Sequence, residues 1–327
     1  MRQVAGAGRY AGGVLVAEVV RSGFVEGFHR GSVAVLDAAG RLVAGAGDPH
    51  GAVFPRSSNK LMQATGVLRA GFAPADDAEL ALAAASHHGE PMHTDRIARM
   101  LGRARLSPDD LACPPDLPID PDARRRVAAP GRIFMNCSGK HTGMLLACLA
   151  SGWPIEGYTD PDHPLQRTLR QEVERLSGEE VAATGVDGCG APVLAISLTG
   201  LARAYWNAVC APTAAPERQV ADAMRRHPEL VSGTGAADAR LMRAFPGLLS
   251  KSGAEGVSAV AVPGLGAVAL KVDDGAERAR LPVMAEALAQ LGLDAERLRA
   301  VADTPLLGGG RVVGEVRAAG AVGPMTG

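Results

Sequence analysis

The chain has 327 residues, of which 47 % are hydrophobic and 21 % charged, and its net charge is −1. That balance supplies apolar material for one sizeable core and leaves no electrostatic footprint for a nucleic-acid partner. No run approaches the roughly 18 uninterrupted apolar residues of a membrane span. The start, Met1-Arg2-Gln3-Val4 and then Val14–Ala17 broken by Glu18, is too short and interrupted for a signal peptide. Five cysteines, an odd number without framework spacing, fit a reducing cytoplasm better than a secreted disulfide scaffold.

In chain order, Val14–Val20, Ser32–Asp37 and Arg41–Ala44 read as strands, with Ala38-Ala39-Gly40 turning between the last two. A helix is predicted over Leu61–Ala70, opening at Ser57 or Ser58, because serine is a good N-cap and Pro55 forbids an earlier start. Asp76–Ala85 and Thr94–Ala104 follow as helices, separated by Ser86-His87-His88-Gly89-Glu90-Pro91. A proline-rich connector from Cys113 to Pro130 leads to a glycine turn at Ser138–Lys140 and an apolar helix, Thr142–Ser151.

Pro164–Leu176 is an amphipathic helix, and Ala182–Val186 a strand entering Asp187-Gly188-Cys189-Gly190. Helices are expected near Leu201–Val209, Pro216–Arg226 and Asp238–Phe245. Gly256–Val262 and Ala267–Val272 read as a hairpin, then come the helix Arg280–Leu291 and a last strand near Val312–Val316. Strands at both ends around a helical middle predict a mixed α/β (α+β) fold. Its central antiparallel sheet is built from both termini, with a helical region folded into a single domain spanning 1–327.

Lysine usage carries the chemical signal. There are four lysines against thirty arginines, and three sit in short motifs beside serine or cysteine: Ser57-Ser58-Asn59-Lys60, Cys137-Ser138-Gly139-Lys140 and Ser250-Lys251-Ser252-Gly253. Arginine cannot lose its proton in a protein, whereas a buried lysine can, and so serves as a base or a metal ligand. Ser-x-x-Lys at a helix start places both side chains on one face, one turn apart. There the hydroxyl meets exposed backbone N–H groups, and a neutral amine can take its proton. The plainer reading is an N-cap serine beside a solvated lysine. Against it stands the later Lys251-Ser252-Gly253, which in serine β-lactamases and penicillin-binding proteins lies on a strand beside the nucleophile. A backbone N–H just beyond the glycine, here that of Ala254, would complete an oxyanion hole.

Several segments together resemble one family: Arg56-Ser57-Ser58-Asn59-Lys60, Ser86-His87-His88-Gly89-Glu90, Asn136–His141, Asp187–Pro192, Lys251–Gly256 and Ala269–Gly275. They look like the thermolabile bacterial L-asparaginases, whose fold is β-lactamase-like, and they span nearly the whole chain in family order. The resemblance implies hydrolysis of L-asparagine to aspartate and ammonia in the cytoplasm by a homodimer. It implies Ser57/Lys60 and Ser86/Lys251 as paired Ser–Lys dyads, and leaves open which serine attacks; Ser57 is the expected nucleophile. Ser57 and Ala254 would hold the oxyanion, and Arg56, His87, Lys140 and Asp187 would contact substrate; Arg56 reads equally as a partner for the α-carboxylate or as half of a structural salt bridge.

The same resemblance implies zinc on Cys137, Lys140 and Cys189, a set of two thiolates and an amine that suits a tetrahedral ion with water in the fourth place. His88 stands where a small polar residue is expected, and Gly235–Asp238 lacks a further cysteine found in some members. Rival readings are a penicillin-recognising peptidase or β-lactamase, and a zinc or amino-acid sensor without catalysis. Lys271, followed by Asp273 and Asp274, reads as an ion-paired strand residue, and Arg124–Arg126 as a solvated face.

Overall fold

The computed structural model describes residues 8–320 and 322–324; the first seven residues of the segment read against a signal peptide lie outside it. Strand β1 (Val14–Arg21) turns into β2 (Phe24–Leu36) through Ser22-Gly23, both at positive φ, the backbone hand that a two-residue hairpin requires. After β3 (Leu42–Ala46) and β4 (Ala52–Val53) the chain leaves for the helical region. It returns with β5 (Ala183–Val186), β6 (Pro192–Ser197), β7 (Leu249–Gly253), β8 (Val257–Val262), β9 (Gly266–Val272), β10 (Pro305–Gly308) and β11 (Arg311–Ala318). The main antiparallel sheet runs β10-β11-β1-β2-β9-β8-β7, so segments from both ends of the sequence interleave as expected. β4, β6 and β5 form a separate small sheet.

The helices are α1 (Lys60–Arg69), α2 (Asp77–Ala83), α3 (Pro91–Arg103), α4 (Pro121–Arg124), α5 (Ser138–Ala150), α6 (Pro164–Ser177), α7 (Leu198–Cys210), α8 (Pro216–Arg226), α9 (Pro228–Val231), α10 (Ala237–Ala244), α11 (Glu277–Gln290) and α12 (Ala295–Val301). Consecutive residues of β8 and β9 are buried, and since successive side chains point to opposite faces, both faces of the sheet centre are covered. Helix α7 packs across β2, β8 and β9, and α11 across β1, β9 and β11. None of the described helices is long and apolar enough to cross a membrane.

β4 and β10 have no predicted counterpart, and three further strands differ from expectation for identifiable reasons. β2 begins eight residues earlier than the predicted strand, because Phe24–His29 alternates in burial in a stretch whose Gly27 and Gly31 read as breakers. β6 is a fully buried apolar run that leads straight into α7, a pattern periodicity cannot distinguish from helix. β7 is short and polar, Leu-Ser-Lys-Ser-Gly, and forms the sheet edge.

The helix start at Ser57 also differs. A 3₁₀ turn, Arg56–Asn59, precedes α1; no side chain caps it, and the Ser58 hydroxyl donates back to the Pro55 carbonyl at 2.6 Å. Arg56 enters that turn at φ +51°, a left-handed conformation that costs an ordinary residue on the order of 1–2 kcal/mol.

The 3₁₀ turn lies directly on the edge strand. A Cβ on Gly253 would fall 2.4 Å from the Pro55 carbonyl oxygen and 3.1 Å from the Ser57 nitrogen. Gly253→Ala is therefore expected to push the Ser57 turn off β7, destabilising the protein by about 1–3 kcal/mol, the usual cost of overpacking. Thermal melting combined with activity measurement checks this, and a variant with wild-type stability and turnover would contradict the contact.

Candidate active site

Lys60 opens α1 with its side chain turned inward, 1 % exposed. Its Nζ donates to the Ala85 carbonyl at 2.6 Å, to Ser86 Oγ at 2.8 Å and to Cys137 Sγ at 3.0 Å. Three chain segments thus converge on one amine. The approach is allowed by small residues: α2 leads out through Ala83-Ala84-Ala85, and on α5 a Cβ at Gly139 would meet the Leu82 carbonyl oxygen at 2.5 Å. The expected Ser57/Lys60 dyad is corrected by this geometry. The serine that Lys60 holds is Ser86, because the side chain reaches across to the α2 turn.

Ser57 and Ser86 meet instead on the wall of a cavity of about 280 Å³, shared with Asn136, Asp238, Lys251 and Arg280. His88 and Ala254 also line it. Lys251, on β7, donates to the Ser252 carbonyl at 2.8 Å and lies 4.0 Å from Asp238. Burial, with Lys60 and Arg280 nearby, pushes its amine down to about 8, although Asp238 opposes the shift. Asp238 is fully engaged, accepting from Ser250 Oγ at 2.7 Å and from Ser252 N and Oγ at 2.9 and 2.6 Å. Burial raises its carboxyl, but Lys251 and Arg280 outweigh that and hold it below the ordinary range.

Behind Ser86 lies a second cluster. The Cys137 thiol has two acceptors in reach, Asn136 Oδ1 at 3.1 Å and the Cys189 sulfur, and Lys140 Nζ donates to Cys189 Sγ at 3.1 Å. The hydrogen bond from Cys137, together with Lys140 and His141, holds Cys189 far below the usual thiol range against the effect of burial. Cys137 is raised by that same thiolate and by burial, so the pair keeps one proton on Cys137. Burial would lower Lys140, yet the Cys189 and Cys137 sulfurs raise it. His141 donates or accepts at Nδ1 with the Tyr158 hydroxyl at 2.6 Å, and its ring also bonds the Cys189 sulfur.

Four expected substrate contacts are not on the cavity wall. Arg56 Nε donates to Asp187 Oδ1 at 2.8 Å, and Nη1 lies 3.7 Å from Glu255, so Arg56 and Asp187 bind each other. His87 is buried, accepting at Nδ1 from the Gly89 N–H at 3.1 Å and contacting Ser138 Oγ through Nε2 at 2.8 Å. Burial and the stacked His93 keep its imidazole well below the ordinary range. Lys140 faces Cys189. Lys271 differs too, donating to the backbone carbonyls of Glu255 and Val272 at 2.8 and 3.3 Å. Sequence reasoning passed over Asp238 and Arg280, which stood only as helix-end residues, and no local motif marks them.

The family model described as L-asparaginase II matches residues 17–318. The chain belongs to the L-asparaginase II family. No curated protein matches it. A solved structure described as Mglu in its native form is similar over 83 % of this chain and 63 % of that one, at 14 % identity and a TM-score of 0.44. This asparaginase-family chain therefore spans less than two thirds of that protein. In this family member Ser57, Ser86 and Lys251 share the wall of one cavity.

The electrostatics of the cysteine pair are open to direct test. In metal-free protein at neutral pH, Cys189→Ala is expected to remove the ultraviolet absorbance of one thiolate. Lys140→Met should shift the titration of that absorbance upward by taking away the cation 3.1 Å from the sulfur. Unchanged absorbance in Cys189→Ala would place the thiolate elsewhere.

Proposed function

We propose that the protein hydrolyses L-asparagine to L-aspartate and ammonia through an acyl-enzyme on Ser57, on a β-lactamase-like arrangement of strand and helices. The observation that supports this reading most directly is the meeting of two serines and a buried lysine on one cavity wall, with a second buried lysine hydrogen-bonded to one of the serines. Ser57 Oγ attacks the side-chain carboxamide carbon. Its proton passes to Ser86 Oγ, which in the resting site accepts from Lys60 Nζ at 2.8 Å; for the reaction that amine gives up one proton, turns its lone pair to the hydroxyl and takes the Ser86 proton in turn. The backbone N–H groups of Ser57 and Ala254 receive the developing oxyanion, which the close approach of Gly253 to the Ser57 nitrogen favours. Lys251, mostly an ammonium just below its titration near 8, delivers a proton to the departing ammonia. Water then attacks the ester, and the two amines return to their starting states.

The residues present also suit zinc. The described residues hold no cluster of three His, Cys, Asp or Glu side chains placed for a metal, so the third donor has to be a lysine. Lys140 Nζ is in contact with a thiolate that a second sulfur already touches, and His141 bonds the same thiolate. Cys137, Lys140 and Cys189 would hold the ion, with Cys137 and Lys140 each giving up a proton. Bound zinc would tie α5 to the Asp187 loop behind Ser86. The serine chemistry needs no step through it.

Ammonia release from L-asparagine and L-glutamine tests the activity. Ser57→Ala should lower kcat by roughly three or more orders of magnitude, since covalent catalysis is lost. Near-normal turnover in Ser57→Ala beside an inactive Ser86→Ala would reverse the two serines. Because Lys251 acts as an ammonium, kcat/KM should fall as pH rises through about 8, and that alkaline limb should disappear or move in Lys251→Arg. A limb that persists unchanged in the variant would remove Lys251 from the role. Elemental analysis should find up to one zinc per chain, lost in Cys189→Ser. Protein free of zinc and indifferent to added Zn²⁺ would sink the metal assignment.

A further inference from the structure

With Arg56 engaged by Asp187, the carboxylate of an amino-acid substrate needs another partner, and the cavity wall offers one. Arg280 sits in the first turn of α11, where the helix dipole disfavours a cation. It is 8 % exposed, so its guanidinium is also largely withdrawn from water. Those two costs are met by little protein. Nη1 donates to the Gly253 carbonyl at 3.3 Å, and the nearest carboxylate partner, Glu277 at 3.8 Å, is itself 78 % exposed. A guanidinium carries five donors in a planar fork, so these contacts leave donors for the cavity that Arg280 lines.

Charge points the same way. Lys251 and Arg280 are two buried cations on a wall with two lining carboxylates, of which Asp238 is fully engaged and Glu277 is 78 % exposed, so the buried part of the wall is short of an anion. Distance fits as well. Gly253 accepts from Arg280 through its carbonyl, and a Cβ on the same residue would touch the Ser57 nitrogen at 3.1 Å. One residue therefore separates the guanidinium from the nucleophile's backbone, a span suited to a short amide bearing a carboxylate.

Resting on the asparaginase reading, we infer that Arg280 binds the α-carboxylate of the substrate by a bidentate pair and so selects amino-acid amides over simple amides. This is a specificity role, separate from bond breaking. The test compares wild type, Arg280→Leu and Arg280→Lys on L-asparagine and on β-alaninamide, which is asparagine without its carboxylate. Arg280→Leu should lower kcat/KM for asparagine by roughly 30-fold or more, mainly through KM, the scale of losing charge-assisted hydrogen bonds. Its loss on β-alaninamide should be at least tenfold smaller. Arg280→Lys, which keeps the charge without the fork, should fall between and covers the case in which the leucine variant does not fold.

Equal losses on the two substrates, or a loss confined to kcat, would overturn the assignment while leaving asparagine hydrolysis standing. Calorimetric binding of L-aspartate gives an arm free of turnover. A wild type that binds aspartate without hydrolysing asparagine, and loses that binding in Arg280→Lys, would keep Arg280 and discard the catalytic reading. A wild type that neither binds nor hydrolyses would discard both.

Discussion

The buried amine of Lys60 is the constraint on which the site depends. A lysine head group in a dry interior costs several kcal/mol unless its hydrogen bonds are met. Lys60 meets them with a carbonyl, a hydroxyl and a sulfur drawn from two separate segments outside its own helix. Those partners fix where the α2 turn and the start of α5 must lie relative to α1. The alanines of α2 and the glycines at 139 and 143 follow from that requirement, since any larger residue would hold the segments apart. Ser86 reaches the cavity because its neighbour Ala85 is anchored through the same amine.

From Lys60 the polar interior extends in two directions. Through Cys137 it reaches Cys189 and Lys140, where one thiolate and one ammonium form a buried pair. Across the cavity stand Lys251, Asp238 and Arg280, brought together by β7, α10 and α11. The proximity of Lys60 and Arg280 to Lys251 adds to burial in lowering the Lys251 amine. Two lysines a short distance apart can divide acid and base duties because each disfavours the other's proton. Arg56, by contrast, closes an ion pair with Asp187 and holds the strained entrance of the Ser57 turn. Its role is to position the turn.

Much of the fold is legible in the chain because its signals are local. The α8 helix, with Pro216 at its start, and α6, closed by Gly178 at φ +72°, follow from position-specific residues and periodicity. The hairpin β8–β9 and the interleaving of the two ends follow from alternation. What stayed hidden was decided by neighbours. Ser-Lys-Ser-Gly in β7 has no strand character until β8 pairs with it, and the fully apolar β6 reads equally as helix.

For the site, the sequence alone singled out residue types able to do chemistry. Sparing use of lysine and its repeated placement beside serine and cysteine marked Lys60, Lys140, Lys251, Ser57 and Cys137, because a titratable amine cannot be replaced by arginine, while only the family resemblance picks out Ser86 and Cys189. Only the tertiary structure decided who touches whom. Lys60 is three residues from Ser57 in sequence yet bonds Ser86, twenty-six residues away, and Asp238 and Arg280 enter the site with no motif of their own. The physical reason is reach. A long side chain buried from water takes whichever acceptors the packing presents, and spacing along one helix cannot report the acceptors that arrive from elsewhere in the chain.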